Sequence, residues 1–434
     1  MSDLAIGFAG TGILFTFILC GAPIMLALVS VGFGGILVMN GLTPSLSVMG
    51  TIVYPVVSAF HFSAIPMFLL MGFFAIRAGI GDDLFDACTK WFGRLPGGLA
   101  LASTGATAAF GAASGSSVGT ATLFTKLALP EMVRRGYDRG FAAASIAIAG
   151  TLAVLIPPSA LIVVYGILTN AAIGQLLIAG IVPGIVFSIL LAITVLLVAT
   201  LQPHKAPASE EKFSLRERLY SLRMIGPLAF VILVMLGGLY AGVFTPTESG
   251  AVGAFATFVM AILRCGPFRI QLGYSLIETV KLTAMIFAII IGGLIFSRFL
   301  ALSGVSTFTQ DILVNGGLPN WAIVAIVTAV YLLLGMLMDA PSLLAISLPI
   351  TYPVMTSLGY DPVWFGIYVI VLAEIGAVTP PIGLNCFVVK GAAGDLVKLE
   401  QIFVGLVPFI FTAFVMLGLL LAFPEMVLWL PSKM

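Results

Sequence analysis

Long apolar stretches dominate this sequence and leave few folds open to it. About 20 apolar residues cross a bilayer as one helix, which gives about ten approximate crossings here. These spans are 6–21, 23–39, 53–79, 138–168, 175–201, 225–244, 248–264, 274–302, 362–390 and 400–428. Only 9% of the 434 residues are charged, against about 25% in soluble proteins. The sequence therefore predicts an all-α polytopic membrane protein.

The polar composition also bears on partners. A formal net charge of +1 provides no basic surface for nucleic acid, so we expect none as a partner. His61, His204 and the four scattered cysteines lack the spacing of zinc or disulfide sites. We expect free thiols in apolar surroundings, with the lipid bilayer as the main environment.

Basic residues predict the orientation, because cytoplasmic loops carry an excess of Lys and Arg. Two further apolar segments, 97–133 and 320–357, are each interrupted near the middle. No Lys or Arg lies between 304 and 364, so the second segment is predicted to have both ends outside. The first is predicted to have both ends in the cytoplasm, and the N-terminus is predicted to be periplasmic. The basic residues beside the first segment are Lys90, Arg94, Arg134, Arg135 and Arg139.

The two halves of the chain match at a constant shift. Gly-Tyr-Asp at 136–138 recurs at 359–361, and Pro-Pro at 157–158 recurs at 380–381, both 223 residues later. Each copy holds five crossings and one interrupted segment, and an odd number of crossings inverts the second copy. Inverted-topology repeats are typical of secondary transporters, whose site lies near the midplane where the repeats meet.

This repeat divides the chain into three parts. The charged stretch between the copies is predicted to be a cytoplasmic linker, and each copy is predicted to contain one re-entrant helical hairpin and one discontinuous helix. The parts are the first repeat 1–201 (hairpin 97–133, broken helix 138–168), the linker 202–224, and the second repeat 225–434 (hairpin 320–357, broken helix 362–390).

The first hairpin has a polar centre. At Ser114-Gly115-Ser116-Ser117, small and hydroxyl residues replace Leu and Phe. A turn at membrane depth is tolerated only where it is buried or lines a cavity. Its carbonyls and hydroxyls suit a hard cation such as Na⁺, and the helix that follows points N–H groups at an anion. Close packing of small residues is the structural alternative.

Paired prolines interrupt the broken helices. Ile156-Pro157-Pro158-Ser159 breaks the first, because proline removes backbone donors and clashes with the preceding turn. The segment from Thr379 to Asn385 breaks the second at the same relative place, and these two end residues add side-chain oxygens. A proline kink is the simpler interpretation, but the recurrence favours an unwound segment.

Acids at membrane depth are costly and usually functional. Asp339 occupies the counterpart of the first hairpin tip, and it can ligate a cation, carry a proton or cap the following helix. Glu374 lies in the second broken helix. Glu248 follows a Thr-Pro-Thr turn and is better explained as an acid at a helix start.

These residues resemble a known family. The motifs FGAASGSSVGTATL, GTLAVLIPPSALIVVYG, GLYAGVFTPTESGAVGA, DAPSLLAISLPITYPVM and EIGAVTPPIGLN are similar to the large, M-type (dicarboxylate-carrier-like) membrane subunit of tripartite ATP-independent periplasmic (TRAP) transporters. The resemblance implies a Na⁺-coupled importer of the bacterial inner membrane, with an elevator-type mechanism and a fold like that of the ion transporter superfamily.

The resemblance also implies partners. The family pairs such a subunit with a small four-helix membrane subunit and a soluble periplasmic substrate-binding protein. The length of 434 residues leaves no room for a fused small subunit, so we expect it as a separate chain. Family substrates are mostly carboxylates, including C4-dicarboxylates and sugar acids, and the soluble partner selects among them.

The family's sites carry over to the interruptions, with Na⁺ as the coupling ion and no organic cofactor. The implied sodium ligands of the first repeat are Ser114, Gly115, Ser116, Ser117, Ile156 and Pro157. Those of the second repeat are Asp339, Ala340, Ser342, Thr379, Pro380 and Gly383. The implied substrate-binding residues are Ser116, Ser117, Ser159 and Asn385.

Three other functions compete with this interpretation. A proton-conducting or anchoring subunit predicts lines of buried acids and lysines, but only Asp339, Glu374, Lys281 and Glu278 are candidates. An intramembrane enzyme needs a nucleophile with a base, or a metal site, and the two histidines lie outside the breaks; we therefore expect no enzyme. A stand-alone sodium–dicarboxylate symporter is the nearest alternative, and dependence on a binding protein separates the two.

Overall fold

A computed structural model describes residues 2–208, 211, 213–266 and 271–434. All secondary structure in these ranges is helical, which confirms the predicted all-α class. The helices before the linker are α1 (Asp3–Leu19), α2 (Ile24–Asn40), α3 (Leu42–Ser58), α4 (Ala64–Arg77), α5 (Ile80–Phe92), α6 (Gly98–Ser114), α7 (Ser117–Arg134), α8 (Arg139–Leu155), α9 (Ala160–Thr169), α10 (Ile173–Ala179) and α11 (Ile181–Leu201). Those after it are α12 (Leu215–Tyr240), α13 (Pro246–Cys265), α14 (Leu272–Ser303), α15 (Val305–Gln310), α16 (Asn320–Gly335), α17 (Ala340–Ser357), α18 (Pro362–Gly376), α19 (Leu384–Ala393), α20 (Leu399–Ala422) and α21 (Glu425–Leu428).

The helical segments that are long enough to span a membrane are fewer than the predicted crossings. Within the described ranges, six helical segments are long and apolar enough to span a membrane. The count is seven when α8 and α9, bent by 49° at their break, form one span. Predicted spans 6–21 and 23–39 correspond to α1 and α2, of 17 residues each. At about 1.5 Å per residue such a helix is about 25 Å long, slightly short of a hydrocarbon core of about 30 Å.

Two predicted segments have different boundaries in the structure. The segment 53–79 is divided by a short 3₁₀ turn, Phe60–Ser63, between α3 and α4. Pro55, near the end of α3, has no backbone N–H to donate to the helix, and α3 ends three residues later at Ser58. Helix α12 begins at Leu215, inside the predicted linker, because Ser214 and Glu217 form a capping box.

The centre of the fold consists of α8 and α18. All residues of α8 after Arg139, and all of α18 after Pro362, are buried. Helices α6, α7 and α20 pack on α8, and α16, α17 and α20 pack on α18. The Ala, Gly and Ser residues of α8 allow this close approach of helices in a membrane. These two helices hold the interrupted segments together.

A second group of helices lies outside this centre. Helix α4 packs against α13 and α14, α2 packs against α14, and α1 packs against α2. The outer group meets the centre where α4 contacts α6 and α9, and where α14 contacts α17. The interrupted segments therefore face α4 and α14.

The start of the predicted linker packs against the central helices. The N–H of Asp138 donates to the Lys205 carbonyl at 2.9 Å, and the N–H of Gly97 donates to the Ala206 carbonyl at 3.3 Å. Arg135 bonds Glu211 at 2.8 Å as well as Glu131 on its own helix. Hydrogen bonds to these two carboxylates raise the pKa of Arg135. Positions 209, 210 and 212 of the linker lie outside the described residues.

Arg264 at the end of α13 ties three elements together. Its guanidinium bonds Asp83 of α5, the carbonyl of Ala78 at 3.2 Å and the carbonyl of Met224 at 3.0 Å. We expect Arg264→Met to destabilise the protein by about 1–3 kcal/mol, because charge-assisted bonds are lost and two carbonyls lose their donor. A lower thermal unfolding midpoint in detergent would show this. Arg223→Met is the matched control on an exposed side chain, and an equal shift in both variants would contradict the prediction.

Candidate functional site

The first interruption is a tight turn between α6 and α7. Helix α6 ends at Ser114 and α7 begins at Ser117, as the sequence predicts. The Ser116 hydroxyl caps α7 by accepting from the N–H of Gly119 at 3.2 Å. The hydroxyls of Ser114 and Thr120 lie 2.6 Å apart. We call residues 114–117 the first tip; it is an N-terminal helix cap surrounded by hydroxyl groups.

The first tip packs against the break between α8 and α9. Gly115 has a φ of +58°, and a Cβ there would lie 3.1 Å from the Pro158 carbonyl oxygen. Only glycine fits this position without strain. Ile156 is extended, and Ser159 caps α9 by accepting from the N–H of Ile162 at 3.4 Å. The break therefore brings a backbone carbonyl against the tip.

The second interruption centres on Asp339, between α16 and α17. Its carboxylate caps α17, because Oδ1 accepts from the Ser342 hydroxyl at 2.7 Å and Oδ2 accepts from the Ser342 N–H at 3.4 Å. The structure thus contains the helix cap that was one of the three interpretations of this acid. Ala340 is the first residue of α17. We call residues 336–340 the second tip.

The break between α18 and α19 is longer than its counterpart. The Thr379 hydroxyl donates to the Ile375 carbonyl at 2.6 Å, and so continues the end of α18. Gly383 has a φ of +63° and reverses the chain before α19. The N–H of Asn385 donates to the Ala377 carbonyl at 2.9 Å, which ties the two helices together across the break.

Both tips line one cavity of about 480 Å³. This volume is in the range of small-molecule sites. The second broken span adds Glu374 and Asn385 to the wall. The predicted site residues that meet in this cavity are Ser114, Gly115, Ser116, Ser117, Asp339, Ala340 and Asn385.

The other predicted residues lie outside the lining of the main cavity. Ile156 faces a second, apolar cavity of about 470 Å³. Ser159 is buried as the cap of α9, and Ser342 is buried as the partner of Asp339. The predicted residues that do not line the main cavity, among those described, are Ile156, Pro157, Ser159, Ser342, Thr379, Pro380 and Gly383.

Glu374 is the cavity residue that the sequence-based set of ligands omits. It is 4% exposed, and the Ser117 hydroxyl of the first tip donates to its Oε1 at 3.3 Å. Its Oε2 has no hydrogen-bond partner. Asn385 lies against the same carboxyl group, yet neither of its side-chain polar atoms reaches hydrogen-bond geometry. The sequence did contain a signal that could have identified Glu374: it is an acid inside an apolar span, and such residues are usually functional.

The remaining wall of the cavity is apolar. It consists of side chains from α4, such as Leu69 and Phe73, and from α14, such as Leu282 and Met285. Polar groups are therefore confined to the side of the cavity formed by the two tips and the second break.

The polar groups of the lining are mainly oxygen donors. Its polar groups are hydroxyls, two carboxyl groups, an amide and the N-termini of α7 and α17, and the lining contains no Lys, Arg or His among the described residues. The described part of the chain also holds no cluster of three His, Cys, Asp or Glu side chains suited to a metal. Oxygen donors of this kind suit a hard cation.

A helical bundle with several apolar segments long enough to span a membrane, and a cavity between two interrupted segments, is typical of polytopic membrane transporters. The sequence matches the family described as "Tripartite ATP-independent periplasmic transporter, DctM component" over residues 11–426. The chain therefore belongs to this family, and it is a TRAP transporter large permease subunit. The family resemblance inferred from the motifs is confirmed.

Characterised relatives differ in the solute that their names give. The chain is 37% identical over 332 residues to the C4-dicarboxylate TRAP transporter large permease protein DctM of Pseudomonas aeruginosa, covering 76% of this chain and 77% of that protein. It is 32% identical to the isethionate TRAP transporter permease protein DctMQ of Oleidesulfovibrio alaskensis, covering 89% of this chain and 60% of that protein. It is 29% identical to the ectoine TRAP transporter large permease protein TeaC of Halomonas elongata, covering 95% of this chain and 96% of that protein.

Among solved structures, the fold is similar to that of the YdaH transporter of Alcanivorax borkumensis. The TM-score is 0.61 at 14% identity, and the match covers 88% of this chain and 89% of that one. At this identity the likeness concerns the fold alone.

Proposed function

We propose that this chain is the large transmembrane subunit of a Na⁺-coupled importer of an organic acid. The solute is a carboxylate, such as a C4-dicarboxylate or a sugar acid, delivered by a periplasmic substrate-binding protein. A small four-helix subunit on a separate chain completes the complex in the bacterial inner membrane. The observation that carries the proposal is the shared cavity of the two tips, where the polar groups of a largely apolar bundle are concentrated.

Sodium fits the donor set of the tips. The first tip offers the hydroxyls of Ser114 and Ser116, and the Pro158 carbonyl of the neighbouring break lies against Gly115 between them. The second tip offers the carboxylate of Asp339. Na⁺ bound to these oxygens would order each tip against its break. The affinity for solute then depends on Na⁺ through the difference in affinity between the ordered and disordered tips.

A solute carboxylate fits the same cavity. The first residues of α7, Ser117 to Gly119, line it, and a helix N-terminus favours an anion. The hydroxyls of Ser116 and Ser117 and the amide of Asn385 add hydrogen bonds. Because the described lining holds no basic side chain, bound Na⁺ would supply the positive charge that balances the solute anion.

An elevator movement agrees with the distribution of polarity. The central group would move the cavity past α4 and α14, whose facing side chains are apolar. Apolar contacts lack direction, so sliding breaks no specific bond. Inverted repeats support the same mechanism: the bounds of α7 and α17, Ser117–Arg134 and Ala340–Ser357, differ by the same 223 residues as the sequence motifs (340 minus 117).

Uptake in reconstituted vesicles tests this function. The chain, its small subunit and the binding protein encoded beside it are combined, and uptake of the binding protein's labelled ligand is followed with an inward Na⁺ gradient. We expect uptake only when the binding protein and Na⁺ are both present, and K⁺ should not replace Na⁺.

Two results would contradict it. Uptake without any binding protein would identify a stand-alone symporter, because such a carrier takes its solute directly from solution. Uptake that is indifferent to Na⁺ would contradict the coupling ion. Vesicles that contain the small subunit alone serve as the background.

A further inference from the structure

Glu374 is a buried acid whose carboxylate is only partly stabilised by the residues of the two tips. Its side chain is 4% exposed in the centre of the bundle, where an ionised carboxylate without compensation is costly. The Ser117 hydroxyl and the N-terminus of α7 stabilise one side of the group. Its Oε2 has no hydrogen-bond partner, and the side chain beside it is the neutral amide of Asn385, so no positive group lies on that side of the carboxylate among the described cavity residues.

Asn385, beside Glu374, also has side-chain polar atoms that lack hydrogen-bond partners. It is fully buried, and its Oδ1 and Nδ2 both lack hydrogen-bond partners. Its backbone bond to Ala377 holds it beside Glu374. Buried polar atoms without partners are costly, so two adjacent side chains with this deficit indicate a missing ligand.

We propose that Glu374, Asn385 and Ser117 form a third Na⁺ site, separate from the sites at the two tips. The ligand atoms are Glu374 Oε2, Asn385 Oδ1 and Ser117 Oγ, which leaves the Asn385 Nδ2 group and the Ser117 O–H to donate to the solute. Carboxylate, amide and hydroxyl oxygens are the donors that hard cations take, and a monovalent cation would balance the charge of an ionised Glu374.

Among the described residues that line the cavity, no Lys, Arg or His compensates Glu374. The cavity wall contributes one further ionisable side chain among the described residues, Asp339, which is also acidic. Nearby on packed helices, Tyr165 donates to the Pro362 carbonyl and Tyr331 bonds Thr351. A cation is therefore the partner that fits an acidic, lysine-free and arginine-free lining.

The site would connect the two repeats. Ser117 belongs to the first tip, whereas Glu374 and Asn385 belong to the second broken span. An ion held by all three requires the first tip and the second break to be in contact. The third ion would therefore favour the state in which the first tip is held against the second break, which makes its binding cooperative with the ion of the first tip.

The experiment counts bound ions in the absence of solute. The complex of the chain with its small subunit is placed in nanodiscs, and the binding of ²²Na⁺ is titrated to saturation. We expect Glu374→Gln to bind one Na⁺ fewer per chain than the wild type, because the neutral amide keeps the volume but loses the charge. Asn385→Leu should lose the same ion, and the double variant should lose no more than either single variant.

Glu278→Gln is the matched control, since Lys281 already pairs with this acid at 2.8 Å; it should bind the wild-type number of ions. A wild-type count in Glu374→Gln, or losses that add in the double variant, would overturn the third site. If Glu374→Gln does not fold, the ion count of Asn385→Leu is compared with the wild type instead. One Na⁺ fewer supports the third site, and a wild-type count overturns it. The inference depends on the proposed Na⁺ coupling: a wild type that binds no Na⁺ overturns both, whereas an unchanged count in the variants overturns only the third site.

Discussion

Ser116→Ala is expected to abolish Na⁺-driven uptake. The substitution removes the cap of α7 and a hydroxyl that faces the cavity. Loss of a cap costs about 1 kcal/mol of stability. Loss of a ligand from a buried cation site lowers Na⁺ affinity by about tenfold or more. Uptake driven by a Na⁺ gradient in reconstituted vesicles measures the result.

Ser214→Ala separates the two effects of this substitution. Ser214 caps α12 in the same way, but it is exposed and remote from the cavity. We expect Ser214→Ala to keep wild-type uptake while losing a similar amount of stability. Wild-type uptake in both variants would mean that Ser116 does not belong to the site. An equal loss of uptake in both would mean that the loss of a helix cap alone explains the effect.

Gly376→Ala is expected to separate α16 from α18 and to eliminate uptake. A Cβ at Gly376 would lie 2.7 Å from the Cα of Gly335 and 3.2 Å from the N of Met336. Both are backbone atoms, so the helices must move apart, at a cost of about 1–3 kcal/mol. Gly376 ends α18 before the second break, and Gly335 ends α16 before the second tip. The displacement therefore reaches the cavity.

Gly237→Ala is the control for this substitution. Gly237 lies inside α12, and nothing would approach a Cβ there within 4 Å. Alanine favours helix over glycine by about 0.5–1 kcal/mol, so the unfolding midpoint should rise slightly in this variant and fall in Gly376→Ala. Shifts of the same sign in the two variants would mean that close approach of α16 and α18 is not what requires glycine.

Much of the fold follows from local patterns in the sequence. The tips and breaks lie where Ser-Gly-Ser-Ser and Pro-Pro interrupt apolar stretches, and the helices end there in the structure. These features depend on neighbouring residues, because glycine permits a positive φ and proline removes a backbone donor. The extent of α12 was harder to predict: a capping box begins the helix within a charged stretch that resembles a linker.

The arrangement of the site needed information from distant parts of the chain. The sequence indicated Asp339 and Asn385 but left Glu374 outside the predicted ligands. Its importance depends on the contact with Ser117, 257 residues away. Conversely, Pro380 and Gly383 shape a break without lining the cavity. Which carbonyls and hydroxyls share a cavity depends on how the helices pack, and a motif read locally does not contain that information.

The sequence by itself determined the membrane environment, the family and the positions of the four interruptions. These follow from hydropathy, from the 223-residue shift and from the conformational limits of glycine and proline, all of which act locally or through composition. Only the tertiary structure decided that both tips and Asn385 share one cavity, that α4 and α14 close it with apolar side chains, and that a half-partnered Glu374 joins the first tip to the second break. The physical reason is that burial and hydrogen bonding are properties of three-dimensional neighbours.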